Sequence, residues 1–287
     1  GYGLYDIKVE FDTQRKIYDA FNGRNDENSV WIRDGLCRLV ANVLFVEDSR
    51  WPNMFHPRVQ AYNALVFEAL TSEERQAYMS IYNEYFYERH NEMWGALAYR
   101  KLSMVLERTT MLVTAEDLGV LPECVQPTLD ALRILTLEVQ TMPKQHGLEF
   151  AHLEANPYLS VATISTHDMP PLRLWWQERP EAAQHYYRDR MQKEGRPPVA
   201  LTTTLAEEIV SRHLYSPSML CLLSLQDWLA VDAEMRNPDP RSERINIPGD
   251  CYNRWSYRMH VNIEQLIADE QLNKKLRTMV ERSKRNV

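Results

Sequence analysis

Glycine is scarce in this chain, with 9 among 287 residues. None falls in the spaced clusters that cradle phosphates, so a glycine-rich phosphate loop and the nicotinamide or flavin fingerprint built on one are excluded. No Gly-x-Ser-x-Gly elbow is present either, which removes the common serine hydrolase reading. Cysteine is rarer still. Cys37, Cys124, Cys221 and Cys251 lie far apart, with no Cys-x-x-Cys unit and no His-Cys cluster of metal spacing. A reducing compartment is expected, and the chain is read as cytoplasmic. Cys37 and Cys221 sit in apolar, helical-looking stretches, where a small buried hydrophobe is the ordinary role. No apolar run reaches the roughly 20 residues of a membrane span, and no signal-peptide pattern is seen. The opening Gly1-Tyr2-Gly3-Leu4-Tyr5 carries no Met, so the chain reads as a processed product, an engineered piece or the latter part of a longer polypeptide. An excess of basic charge is also missing. With 33 basic and 40 acidic residues the net charge is -7, which leaves no electrostatic footprint for nucleic acid.

What is present is an apolar fraction of 44%, enough for a real core in one large domain or two ordinary ones. The 7 Trp and 15 Tyr suit sugar faces, and they suit cores and protein interfaces equally well.

Residues 1–104 read as a mixed, mostly helical lobe. A short alternating stretch over 5–10 precedes a helix to about Phe21, capped by Asp12 or Thr13. Helix over 32–39 and a buried strand over 42–46 are expected, then a break at Trp51-Pro52-Asn53. Thr71-Ser72-Glu73-Glu74 opens a long helical region reaching about Ser103. From 105 the rhythm changes to short strands alternating with helices. Strands are predicted over 111–114, 134–139, 158–164 and, shortly before a Pro-Gly turn, 245–247. Helices are predicted over 122–133, 181–193, 201–214, 218–229 and 263–282. Such alternation argues for parallel β/α units. Three or four strands amount to half of a closed eight-stranded barrel. The expected fold is therefore α/β: the later half of a (β/α) barrel over 105–287, preceded by an inserted helical lobe. Its open edges would be covered by a neighbour chain or by that lobe.

Two acidic motifs close predicted strands. Glu116 follows Val113-Thr114-Ala115 and leads to Gly119; Asp168 ends Ser165-Thr166-His167-Asp168, 52 positions later. Carboxyl ends of barrel strands are where that architecture keeps its chemistry, and two carboxylates are the minimum equipment for glycosidic bond cleavage. Each motif also fits a capped turn, and a His beside an Asp is often a structural pair. A third stretch, residues 246–258, combines amides, Arg254, Trp255 and Tyr257 after a turn. It could stack and hydrogen-bond on sugars, or simply anchor a core. No third or fourth ligand for a metal is indicated around His167.

These residues resemble the 4-alpha-glucanotransferase family, also called amylomaltase or disproportionating enzyme, in its longer bacterial and plant-type branch. The matching pieces are Ala115 through Pro122, Ser165-Thr166-His167-Asp168, and Asn246-Ile247-Pro248-Gly249 followed by Asn253-Arg254-Trp255. The run from Lys8 to Gln14 looks like that branch's inserted lobe. The resemblance implies a retaining transferase that moves α-1,4-glucan segments between maltooligosaccharides, starch or glycogen, without metal or organic cofactor. It implies Glu116 as general acid/base, Asp168 as transition-state stabiliser and His167 as a donor-subsite contact, with Asn253, Arg254 and Trp255 binding substrate. Where a familiar family form reads Thr-His-Asp-Asn-Asp, this chain has Met169-Pro170 after Asp168. The family nucleophile, an Asp in an Arg-Ile-Asp-His type motif, has no counterpart here, so it is expected upstream in the missing N-terminal half of the same polypeptide. Asp227, within an apolar segment, is read as a hydrogen-bonding partner and not a substitute. The competing readings are an α-glucan hydrolase and a noncatalytic carbohydrate-binding fragment.

Overall fold

The computed structural model describes residues 7–119 and 121–285. The chain divides into two compact units, Gly1–Trp94 and Gly95–Val287.

In the first unit, Lys8 precedes a 3-10 turn, Val9–Phe11; residues 5 and 6 of the predicted alternating stretch lie outside the described residues. Helix α1 spans Gln14–Ala20, with Thr13 Oγ1 accepting from the Lys16 N–H. Helix α2 spans Glu27–Val40, started by Asp26, whose carboxylate accepts from the Ser29 N–H. Strands β1 (Phe45–Glu47) and β2 (Phe55–Pro57) form an antiparallel hairpin. A buried strand over 42–46 is not found: β1 starts later and is exposed along its length. A two-stranded ribbon has no second layer to bury it. After a short helix α3, Leu65–Glu68, comes α4, Ser72–Asn83, opened by the expected Thr71–Glu74 capping box. The long helix is not uniform. Glu84–Arg89 widens into π geometry before α5, His90–Leu106. Tyr78 and Tyr82 of α4 form a small core with Ala61, flanked by Leu44, Phe67 and Leu70. The hairpin is tied down by polar contacts: Asp48 and Tyr85 each lie 2.6 Å from a different ring nitrogen of His56.

The second unit is α/β. Helix α6, Val125–Leu132, leads through Arg133, which adopts the left-handed conformation, into β3, Thr136–Val139. Strand β4 is Ser160–Thr163. Helices α7 (Leu172–Glu178), α8 (Pro180–His185) and α9 (Thr203–Leu214) follow, then β5, Leu220–Cys221, and α10, Leu225–Leu229. The last helices are α11, Ile263–Ala268, and α12, Glu270–Arg282. The sheet has the order β3-β4-β5 and is parallel throughout, with Thr136 opposite Ser160 and Val161 opposite Leu220. The predicted strand over 111–114 survives only as a parallel bridge between Thr114 and Leu135. It still extends the sheet by one position, through Ala115 N–H to Leu135 C=O at 2.8 Å and Leu135 N–H to Val113 C=O at 3.0 Å.

Three other expectations are corrected. The apolar segment 218–229 is not one helix: its first part pairs with β4 as β5, so Cys221 lies in a strand. A short apolar run suits a buried strand as well as a helix, and only pairing decides. Residues 245–247 form no strand; the Asn246 carbonyl accepts from Arg244 Nε at 3.1 Å. The terminal helix breaks at Asp269, whose carboxylate caps α12 by accepting from the Leu272 N–H at 2.8 Å.

Trp176, Tyr186, Ile209, Val210, Leu229 and Leu272 belong to one core, built largely from α7, α9, α10 and α12. His213, on α9, is 1% exposed within it. Its Nδ1 lies 2.8 Å from the Ile209 carbonyl, while Nε2 is buried without a partner. Burial holds its pKa down at about 4, from an ordinary 6.5. A His kept neutral in the fold contributes stability present above pH 6.5 and lost as pH falls toward 4. That difference is about 3 kcal/mol. A His213→Leu variant is expected to lack this component of acid destabilisation, seen as a shallower fall in urea-unfolding free energy across that window. An identical slope in both proteins would refute the assignment.

Candidate active site

Parallel strands deliver their carboxyl ends to one edge of a sheet, and the turns that follow are where ligands bind in open α/β sheets. Glu116 leaves the Thr114 position and Asp168 follows β4, with β3 between them. The loops bring the two side chains together over β3. Ligand atoms of Glu116, His167 and Asp168 all lie within 4.8 Å of one another, and all three residues are exposed. Two carboxylates and an imidazole at that spacing could receive a cation, or could act together on one sugar ring. His167 Nε2 stands 3.6 Å from Asp168 Oδ1.

Each loop is fixed from beneath. Beside Glu116, Asp117 points the other way and is buried, as alternation along an extended segment requires. Its carboxylate accepts from the Leu137 N–H at 2.8 Å and from Lys144 Nζ at 2.6 Å. Lys144 also reaches Glu138 at 2.8 Å, so one ammonium pins the Glu116 loop to β3. Gly119 then turns the chain with φ +94, a conformation that a side chain would strain.

The Asp168 loop is closed by Asp227. That carboxylate is fully buried. One oxygen accepts from Ser165 Oγ at 2.7 Å and the other from the Leu172 N–H at 2.8 Å. It therefore clasps both ends of the turn that carries His167 and Asp168. Burial raises its pKa, against the lowering effect of these donors. The reading of Asp227 as a hydrogen-bonding partner agrees with this geometry, and neither oxygen is presented to the site. An Asp227→Ala variant leaves a buried hydroxyl and a buried N–H without partners. The expected cost is on the order of 3 kcal/mol in urea unfolding; a change within experimental error would contradict the clasp.

The 246–258 stretch also reaches this site. Asn246 Nδ2 donates to Asp168 Oδ1 at 2.6 Å, and Asn253 Nδ2 donates to Asn246 Oδ1 at 2.7 Å. The Trp255 ring lies 5.2 Å from the His167 ring, tilted by 47°, and is 62% exposed. Of the candidate residues, Glu116, Asp168, His167, Asn253 and Trp255 are thus linked in one place. Arg254 is exposed, and among the described residues its guanidinium makes no hydrogen bond or ion pair there. A cleft of about 260 Å3 adjoins the site, lined by His167, Met169, Ser165, Gln226 and Leu222 among others. Sequence reasoning missed the parts played by Asn246, Lys144 and Ser165. Asn246 and Ser165 carried a signal, their places in the Asn-Ile-Pro-Gly and Ser-Thr-His-Asp motifs; Lys144 carried none.

The profile of the 4-alpha-glucanotransferase family, Glyco_hydro_77, matches residues 27–264. The chain belongs to that family. It is similar to the 4-alpha-glucanotransferase DPE2 of Oryza sativa subsp. japonica, at 29% identity over 98% of this chain and 30% of the rice protein. It is also similar to the 4-alpha-glucanotransferase of Chlamydia muridarum, at 32% identity over 62% of this chain and 34% of that protein. The chain spans about a third of the length of these curated relatives. Among solved structures it is similar to an amylomaltase from Streptococcus agalactiae in complex with acarbose, at 16% identity and TM-score 0.48, covering 66% of this chain and 35% of that one. Among the described residues no helix of this family member is long and apolar enough to cross a membrane.

Proposed function

We propose that this chain supplies the acid/base and transition-state-stabilising half of a retaining 4-alpha-glucanotransferase acting on α-1,4-glucans. The observation that carries the reading is the convergence of Glu116, His167 and Asp168 within 4.8 Å. Membership of the family supports it. Within this proposal residues 105–287 are the later part of a (β/α) barrel and residues 1–104 an inserted lobe. The rest of the barrel, with the nucleophilic Asp, comes from polypeptide outside this chain and covers the open sheet edge. The compartment is cytoplasmic.

In the first step the nucleophile attacks the anomeric carbon while Glu116 protonates the departing glycosidic oxygen. A glucosyl ester forms and a shortened glucan leaves. Glu116, now a carboxylate, takes the proton from the 4-hydroxyl of an acceptor glucan, whose oxygen displaces the ester and restores an α-1,4 bond. Asp168 binds ring hydroxyls more strongly as the sugar flattens, which is binding realised in the transition state. Asn246 holds one Asp168 oxygen and leaves the other for substrate. His167 donates to a hydroxyl of the donor glucose, and Asn253 and Arg254 bind neighbouring hydroxyls. Trp255 offers an exposed indole face to the sugar C–H surface.

Binding is testable on this chain alone. Maltotriose is expected to shift the indole N–H resonance of Trp255 and the side-chain amide of Asn253, and Asp168→Ala is expected to weaken the effect. Saturating maltotriose that leaves both resonances unmoved would overturn the glucan reading.

A further inference from the structure

Below the site lies a second cluster that the proposed chemistry does not use. Glu243 is 1% exposed, and Arg173 is 7% exposed. Arg173 is the second residue of α7, just after the Asp168 turn. Its Nη1 donates to the Asn237 carbonyl at 2.6 Å and lies 3.4 Å from Glu243 Oε1. The Glu243 carbonyl in turn accepts from Gln226 Nε2 at 3.2 Å, on α10. The segment 237–246 is thus fastened at both Asn237 and Glu243 to elements that flank the Asp168 turn. Three residues beyond Glu243, Asn246 reaches Asp168.

We infer that the buried Arg173–Glu243 pair positions Asp168, by seating the 237–246 segment so that the Asn246 amide meets its carboxylate. Glu243 is a positioning residue here, since it touches no reacting atom. The inference rests on the proposed function only for what Asp168 does; the coupling itself does not depend on it.

The pair is adjustable because its charge balance is incomplete. Glu243 Oε2 is buried with no hydrogen-bond partner. Burial is the largest influence on this carboxyl, exceeding the attraction of Arg173, and raises its pKa from 4.5 to about 7. The other charged groups facing the pair are Asp227 from α10, Arg236 just before the segment and Asp239 within it; the Tyr257 hydroxyl also faces Glu243. Near neutral pH the pair therefore changes between an ion pair and a neutral carboxyl beside a guanidinium. By linkage, the stability from the raised pKa is complete below about pH 4.5 and is lost as pH rises to about 7.

The test follows the side-chain amides of Asn246 and Asn253 in the 287-residue chain by NMR across that pH range. Both are expected to shift with a common midpoint near 7. Glu243→Gln keeps the shape and removes the charge, so the step should disappear; His167→Gln, which removes the titratable neighbour in the site, should retain it. Arg173→Met should move the midpoint upward, and if that variant fails to fold, Glu243→Gln alone decides. A step that persists in Glu243→Gln, a step abolished by His167→Gln, or no step in the unaltered chain would each overturn the inference. Maltotriose added to the same samples separates the two claims: coupled amides without any sugar-induced shift would remove the glucan reading and leave the positioning role standing.

Discussion

Replacing Glu116 with glutamine in the complete enzyme is expected to lower glucan transfer by about two to four orders of magnitude, the usual contribution of a positioned acid/base. Glutamine keeps the shape and most of the hydrogen bonding, but it cannot give a proton to the leaving oxygen or take one from the acceptor. Maltotriose binding should survive, since neither Asp168 nor Trp255 is altered. Product analysis from maltotriose reads the result directly, as loss of the series of longer and shorter oligosaccharides. A glycosyl fluoride donor, whose leaving group needs no proton, should restore the first half-reaction preferentially. Ordinary turnover of maltotriose by Glu116→Gln would end the assignment. Glucose and maltose as sole products from the unaltered enzyme would turn the reading to hydrolysis.

The 287-residue chain by itself is expected to leave maltotriose unchanged over hours. Retaining transfer needs a carboxylate about 5 Å from the acid/base, placed to attack the anomeric carbon. In the proposed mechanism Glu116 and Asp168 are each assigned another role. Asp117 is buried and engaged by the Leu137 N–H and Lys144, and Asp227 is fully buried with one oxygen bound to Ser165 and the other to Leu172. A nucleophile must be a desolvated but reachable base, and neither buried aspartate can leave its donors without unmaking a loop. The site is also exposed to water at all three of its central residues, which forfeits the preorganised field needed to stabilise a charged sugar. Formation of an oligosaccharide series by this chain, abolished by Glu116→Gln, would show that a carboxylate within it acts as nucleophile.

The parts of this fold that were legible locally are those set by local chemistry. Thr13 and Thr71 are cap residues whose side chains satisfy free N–H groups whatever the rest of the chain does; the start of α2 at Glu27, capped by Asp26 and five residues ahead of the expected helix, was not read. The β3 and β4 runs were visible because β-branched and apolar residues lie between turn residues. Three of the failures share one cause. Residues 42–46, 218–221 and 245–247 are short, and short apolar runs take the structure their neighbours offer. Residues 218–221 found β4 and became a strand; residues 245–247 found no ladder; β1 found a single partner strand and stayed exposed.

For the site, the residue types and their order in the chain pointed to the proposed chemistry: a Glu and an Asp after predicted strands, a His beside the Asp, and an amide-rich aromatic loop. None of that specifies distance. That Glu116 and Asp168 meet across β3 follows from the parallel pairing of β3 with β4 and the bridge at Thr114, which are contacts between residues far apart in sequence. Which neighbour faces the site and which faces inward was likewise decided in three dimensions. Asp117 and Asp227 became structural because the folded interior gave their carboxylates buried donors, while Glu116 and Asp168 stayed exposed at the sheet edge. The physical reason is desolvation: a carboxylate keeps its charge away from water only where donors surround it, and only the tertiary structure could bring those donors together from Leu137, Lys144, Ser165 and Leu172.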